Sequence, residues 1–239
     1  MAAVIATNLG YILLTFIPPV LWLLFYLRED RHPEPKVLLI ITFLGGIAAA
    51  LLAAVVEIFL VGKGGAVSSF ITLEKNALLF FLIIALVEEY IKYLPVKLLI
   101  TKRPDFDEPI DAMIYMMTAA LGFAAIENSL FIMPLFREGI FAGLEVAANR
   151  FLGANLLHAL SSGIVGFFLA RAFFSPRHHH FVALGVIVAS ILHALFNYLI
   201  LVRELLPQST FYIILLLSIM AVMVFIDFER LKNNPKTKD

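Results

Sequence analysis

Seven apolar runs, each about as long as a bilayer core is thick, limit how this chain can fold more than any other feature. A hydrocarbon core of about 30 Å needs about 20 helical residues at 1.5 Å each. Short polar or Gly/Pro-containing stretches separate the runs. The sequence therefore predicts an all-α, polytopic transmembrane helix bundle of about seven spans, at residues 8–26, 37–61, 76–100, 110–133, 151–174, 181–202 and 211–228.

The composition agrees with a protein surrounded by lipid. The chain is 62% hydrophobic and 15% charged, whereas soluble domains are about half apolar and about a quarter charged. Lys and Arg together number 18 and so do Asp and Glu, so the net charge argues neither for a nucleic-acid partner nor for a strongly anionic one, and we expect no nucleic-acid partner. The absence of cysteine excludes disulfides and thiolate catalysis. We expect residues 1–239 to form a single membrane-embedded domain whose first apolar run is retained as a span.

Loop charges predict how the bundle is oriented. Loops that face the cytoplasm carry an excess of Lys and Arg. If the N-terminus lies outside, most of the Lys and Arg residues between spans fall on the cytoplasmic side, together with the basic C-terminal tail. The expected orientation is therefore N-out and C-in.

Four neighbouring predicted spans contain polar residues that a lipid-facing helix would not carry. Each ionisable side chain near the bilayer centre costs at least about 2.5–3.5 kcal/mol on insertion scales, so a cluster of them indicates a function. From the third span to the sixth these residues are Glu88, Glu89 and Lys92, then Glu127 and Asn128, then Asn155 and His158, then His193 and Asn197.

Helical spacing predicts which of these side chains share a face. Residues three or four apart lie on the same side of a helix. Lys92 follows Glu88 by four residues and Glu89 by three, and we expect it to neutralise one carboxylate while the other points elsewhere. His193 and Asn197 are also four residues apart.

Depth in the membrane is an independent test of whether these polar residues lie together, because the orientation was predicted from loop charges alone. At 1.5 Å per residue from the outer face, the polar residues of four spans lie about 9–18 Å deep. They are Glu88, Glu127, His158, His193 and Asn197. Agreement across two ascending and two descending helices predicts one shared cavity in the outer half of the bilayer.

The residue types in this cavity suit peptide hydrolysis. A buried carboxylate can take a proton from water and return it to a leaving amine, while His or Asn stabilises the oxyanion. Glu127, His158 and His193 also form a His₂Glu set of the kind that holds catalytic Zn²⁺. Zn²⁺ or another divalent metal would neutralise the excess carboxylate charge, but so would protonation. The residues leave a metal-dependent and a purely glutamic mechanism open.

Two other functions are compatible with the same polar residues. A proton- or ion-coupled transporter would use the buried carboxylates and histidines as a relay. Such a transporter usually has paired broken helices in two related halves, and the sequence contains no such duplication. A non-catalytic scaffold is the third possibility. Glu57, near the outer end of the second span, is expected to reach the lipid headgroups in a structural role.

The order and spacing of these residues resemble the PrsW family of intramembrane proteases, which are distant relatives of CAAX prenyl endopeptidases and bacteriocin-processing membrane enzymes. The resemblance covers about residues 87–198 and predicts that the catalytic helices lie within residues 76–202. It depends on four motifs, EExxK at residues 88–92, GFAxxEN at 122–128, Arg150 followed by His158 on one helix, and HAxxN at 193–197.

The resemblance implies a role for each residue. It makes Glu88 the base that activates water, with Glu89 and Lys92 setting its charge state. It places His193 and Asn197 at the oxyanion.

By the same resemblance, Glu127 and His158 hold water, a metal or both. It also implies an intramembrane endopeptidase that cuts a membrane-anchored protein, such as an anti-sigma factor, near the outer face of a prokaryotic cytoplasmic membrane.

Overall fold

The described part of the chain is mostly helical. The computed structural model describes residues 2–30, 32–66, 68, 71–73, 76–172 and 178–233, and within them the chain forms α-helices without β-strands, which confirms the all-α prediction. In chain order the helices are α1 (Ala2–Tyr26), α2 (Lys36–Val61), α3 (Ala77–Pro95), α4 (Pro109–Glu138), α5 (Ile140–Leu152), α6 (Ala154–Ala172), α7 (His178–Leu201) and α8 (Ser209–Lys232).

Six helical segments of the described residues are long and apolar enough to cross a membrane. They are Gly10–Glu29, Lys36–Val61, Pro109–Phe136, Ile140–Ala172, His180–Leu201 and Ser209–Lys232. The third predicted span, which contains α3, is not among them because Glu88, Glu89 and Lys92 interrupt its apolar sequence. The chain is therefore a multi-pass membrane protein, and its N-out orientation stays a prediction.

Two of the predicted spans are not continuous α-helices. The α-helical hydrogen bonding of α3 stops at Pro95, which has no N–H to donate, and the chain continues as a π-helical segment over Val96–Ile100. The fifth predicted span breaks at Gly153, whose backbone leaves the helical region. The expectation that Arg150 and His158 share one helix is therefore wrong, because Arg150 ends α5 and His158 belongs to α6.

Helix α4 lies at the centre of the bundle. It contacts α1, α2, α3, α5, α6 and α8, and its residues 109–125 are all buried. Glycine permits its close approach to α2. A Cβ at Gly46 would lie 1.9 Å from the carbonyl oxygen of Ala119, and one at Gly122 would lie 2.1 Å from that of Phe43. Small residues of this kind let transmembrane helices pack backbone to backbone.

The polar site lies where α3 meets α4, α6 and α7. Helix α3 contacts all three, and also α2. The outer faces of the bundle are apolar, as shown by the exposed Ile58, Phe59 and Leu98, so they suit contact with lipid tails. The inward faces of these four helices carry the buried charges.

Candidate active site

A fully buried lysine is at the centre of the polar site. The Nζ of Lys92 donates to Glu88 Oε2 at 3.1 Å and to Glu89 Oε1 at 2.9 Å, and it lies 2.8 Å from His158 Nδ1. An ammonium has three donors, so all of them are used. The expectation that one carboxylate would point away from Lys92 is wrong, because the long side chain reaches acceptors three and four residues earlier at once.

His158 connects Lys92 to a carboxylate on α4. With its Nδ1 accepting from the ammonium, the ring carries its proton on Nε2, which donates to Glu127 Oε2 at 2.7 Å. The same Glu127 oxygen accepts from Arg150 Nη2 at 2.9 Å. The aromatic ring of Phe123 closes this side of the site, 4.5 Å from Lys92 Nζ. Glu127 is therefore held by an imidazole and a guanidinium.

Glu89 is the most completely satisfied carboxylate of the site. Besides Lys92, its oxygens accept from Ser161 Oγ at 3.0 Å and from Ser162 Oγ at 3.3 Å. His193 Nδ1 lies 2.9 Å from Glu89 Oε1, which leaves His193 Nε2 facing Glu88 Oε2 at 3.8 Å. Glu89 thus orients His193 and has no exposed surface.

Three donor groups converge in front of these oriented side chains. In the part of the chain that the structure describes, the carboxylate and imidazoles that come within 4.8 Å of one another belong to Glu88, His158 and His193. The set expected from sequence has Glu127 in place of Glu88. Glu127 instead lies behind His158, where it accepts from Nε2. A carboxylate behind a ligating imidazole is the usual arrangement in metal sites.

A ring of hydrogen bonds supports Arg150 across the break at Gly153. Arg150 Nε donates to Asn128 Oδ1 at 2.6 Å, Asn128 Nδ2 donates to Asn155 Oδ1 at 3.0 Å, and Asn155 Nδ2 donates to the Arg150 carbonyl oxygen at 2.9 Å. The ring joins α4, α5 and α6. It holds the guanidinium against Glu127.

The structure brings the predicted site residues into one hydrogen-bonded cluster, with one exception. Asn197 is half-buried, one turn after His193, and its side chain makes no hydrogen bond with a described residue. Its predicted position at the oxyanion stays a prediction. The clustered residues are Glu88, Glu89, Lys92, Glu127, His158 and His193.

The sequence interpretation left three contributing side chains out of the site. Ser161 and Ser162 follow His158 by three and four residues, so their shared helix face could have indicated them. Arg150 was part of the family motif and was predicted to share a helix with His158, but it was not named among the site residues.

The comparison with protein families agrees with this geometry. The PrsW family of intramembrane metalloproteases matches residues 34–225. This chain belongs to that family. It is therefore a membrane-embedded peptidase with a protein substrate, and the comparisons give no support to the transporter alternative.

Several bacterial proteins named Protease PrsW are similar to this PrsW family member over most of their length. The protein of Geobacillus kaustophilus is 29% identical over 181 residues, which cover 75% of this chain and 74% of the relative. That of Clostridioides difficile is 25% identical over 229 residues, which cover 94% of this chain and 91% of the relative. That of Bacillus subtilis is 28% identical over 179 residues, which cover 74% of this chain and 75% of the relative. No solved structure matches the chain.

Proposed function

We propose that this chain hydrolyses a peptide bond of a membrane-anchored protein, near the outer face of a prokaryotic cytoplasmic membrane. Anti-sigma factors with a single span are a suitable substrate class. The observation that carries the proposal is the convergence of Glu88, His158 and His193 inside an apolar bundle. A carboxylate stands behind each of the two imidazoles, Glu127 behind His158 and Glu89 behind His193.

The donor set fits a catalytic divalent metal such as Zn²⁺. Two imidazoles and one carboxylate are ligands that zinc peptidases use, and both imidazoles have the carboxylate partners that orient a ligating ring. We therefore propose that Glu88 Oε2, His158 Nδ1 and His193 Nε2 would hold the metal, with Glu127 and Glu89 as orienting residues. The Lys92 ammonium contacts Glu88 Oε2 and His158 Nδ1 in the structure, so it would have to give up these two contacts when the metal binds. A metal bound there would lower the pKa of a water molecule and polarise the substrate carbonyl.

Glu88 is the residue that we assign to proton transfer. Its Oε2 is in contact with Lys92, whereas its Oε1 makes no hydrogen bond to a described residue and is free to accept a proton from the attacking water. As the water oxygen bonds to the carbonyl carbon, the carbonyl oxygen becomes negative. Asn197, one turn after His193 on α7, is assigned to this oxyanion through its side-chain amide. His193 can join it only when both ring nitrogens are protonated, because Nδ1 already donates to Glu89. The proton on Glu88 then passes to the amine nitrogen while the C–N bond breaks.

Cleavage of a single-span substrate by the purified protein in nanodiscs tests the proposal. Glu88→Gln keeps the shape of the side chain but cannot take the proton, so we expect turnover to fall by about 10²–10⁴-fold. Glu145→Gln changes an exposed carboxylate on α5 and should leave turnover unchanged. Full activity in Glu88→Gln would contradict the assignment.

Metal analysis distinguishes the two mechanisms that the sequence leaves open. The wild-type protein should contain a stoichiometric divalent metal, lose turnover on chelation and regain it on add-back. His193→Gln should lose the bound metal while the protein remains folded. Full turnover by metal-free protein would instead favour the glutamic mechanism, in which Lys92 is the cation that faces Glu88 and His158.

A further inference from the structure

Glu57 on α2 has a buried oxygen without a partner. Its Oε1 is inaccessible to solvent and makes no hydrogen bond with any residue that the structure describes. The residue lies before the end of α2 at Val61, about 6 Å along the helix axis. The sequence interpretation placed this side chain among the lipid headgroups, where both oxygens would be solvated. A buried oxygen does not fit that role.

The face of α2 that carries Glu57 is turned toward the active site. Ala53, one turn earlier, is 1% exposed and belongs to an apolar cluster between α2, α3 and α4. Val87 and Ile126 pack against that cluster, and they directly precede two glutamates of the site. The carboxylate of Glu57 interacts electrostatically with Glu88, Glu127 and Lys92.

Glu57 differs from the other carboxylates of this region in having no counter-ion. Glu88 and Glu89 lie within 3.1 Å of Lys92, and Glu127 lies 2.9 Å from Arg150. No basic side chain of the described residues lies within 4.0 Å of the Glu57 carboxylate. An ionised carboxylate in an apolar interior is costly until a cation reaches it. Glu57 is also outside the group of converging metal donors.

We propose that Glu57 binds a Lys or Arg side chain of the substrate. The protein would then select substrates that carry a basic residue in the flank that extends from the scissile bond toward the C-terminal end of α2. This inference rests on the proposed peptidase function. Glu88 lies about 17 Å from the start of α3 at Ala77, whereas Glu57 is about 6 Å from the end of α2. The end of α2 and the start of α3 are on the same side of the bundle, because Gly45 in the first half of α2 lies beside Pro95 at the end of α3. Glu57 is thus nearer the membrane surface, where long basic side chains place their charge.

A matched pair of substrates tests this inference. Fluorescent single-span peptides carry either Lys or Met at one of four successive positions in the flank on that side, and the initial rates give KM and kcat separately for the protein in nanodiscs. At the best position the wild type should have a KM about tenfold lower for the Lys peptide. Glu57→Gln should abolish this preference and still cleave the Met peptide. Glu57→Lys should prefer a peptide with Glu there.

The control and the contrary results separate a binding role from other roles. Glu145→Gln should keep the wild-type preference. Equal KM values of the wild type for both peptides at all four positions would overturn the inference, as would an equal loss of kcat for both peptides in Glu57→Gln. Cleavage of neither peptide by the wild type would contradict the peptidase function itself. Equilibrium binding of the two peptides would then still test Glu57, because equal dissociation constants would overturn the inference.

Discussion

Among the described residues, two groups of largely buried carboxylates are stabilised in opposite ways. The active-site group, Glu88, Glu89 and Glu127, lies inside the bundle against the side chains of Lys92 and Arg150. The second group, which we call the loop group, lies where the connection between α1 and α2 meets the start of α4. It consists of Asp30, Glu34 and Asp111.

The loop group is held by neutral donors. Tyr115 donates its hydroxyl proton to Glu34 at 2.5 Å, and Asp111 accepts from the backbone N–H groups of Asp107 and Glu108. Burial, together with the negative charges of Asp111 and Asp30, raises the pKa of Glu34 to about 9. Glu34 is therefore protonated at neutral pH.

The difference teaches what each group can do. Cations beside a carboxylate keep it ionised and able to accept a proton, which catalysis at the active site needs. A proton held on Glu34 removes one of the negative charges of the loop group, so its carboxyl groups can lie close together and join two elements. Removing a cation from the active-site group and removing a proton from the loop group should therefore change the stability of the protein in different ways.

Removal of the central cation should have the largest effect. Lys92→Met leaves Glu88 and Glu89 buried without their ammonium, and loss of one partner of a buried ion pair costs about 3–5 kcal/mol. We expect the free energy of unfolding in detergent to fall by about that amount. Lys97→Met, which removes an exposed lysine about one turn later, is the matched control. Similar losses in the two variants would show that the active-site group does not depend on its cation.

Within the active-site group, Arg150→Gln should have the next largest effect. It removes the charge that faces Glu127 and one member of the hydrogen-bond ring with Asn128 and Asn155. Hydrogen bonds to charged groups contribute about 1.5–3 kcal/mol, and the pair is partly accessible to solvent, so we expect a loss nearer the lower value. Arg150→Lys should recover part of it. A Lys variant as unstable as the Gln variant would show that geometry matters here more than charge.

The loop group should make stability depend on pH. The pKa of Glu34 is about 9 in the folded protein and about 4.3 in an unfolded chain, so unfolding between these values releases a proton. Its contribution is complete below about pH 4 and is lost as the pH rises toward 9.

Thermal unfolding of wild-type protein and Glu34→Gln measures this contribution. Between pH 6 and 8 the wild type should lose about 2–3 kcal/mol more than the variant, because unfolding releases nearly one proton throughout this range, whereas Gln still accepts from Tyr115 but cannot ionise. Glu204→Gln, at an exposed position, should behave as the wild type does. Identical pH profiles for wild type and Glu34→Gln would show that Glu34 is already ionised.

Ser162→Ala should have the smallest effect. The Ser162 hydroxyl donates to Glu89 over 3.3 Å, and Glu89 keeps Lys92, Ser161 and His193 as donors. We expect a loss of about 0.5–1 kcal/mol in the free energy of unfolding. A loss as large as that of Lys92→Met would mean that neutral donors stabilise the active-site group as much as its cation does.

The membrane fold and the membership of the site were largely predictable from the sequence, because lipid imposes a high cost on polar residues. Apolar runs therefore indicated the helices, and polar residues within those runs indicated the site. The break at Gly153 was not predictable, since one glycine hardly changes the hydropathy of a run. The sequence could not show either that Glu88, and not Glu127, converges with the two histidines, because hydropathy does not fix how a helix is rotated about its axis.

What the sequence by itself determined is a bundle of membrane helices whose third to sixth predicted spans meet at a polar site. Only the tertiary structure decided which oxygen faces which nitrogen, that Lys92 contacts both of its glutamates, and that Glu57 is turned toward the site. The reason is physical. Insertion into lipid depends on the composition of a segment, whereas side-chain contacts depend on how closely helices such as α2 and α4 approach at Gly46 and Gly122.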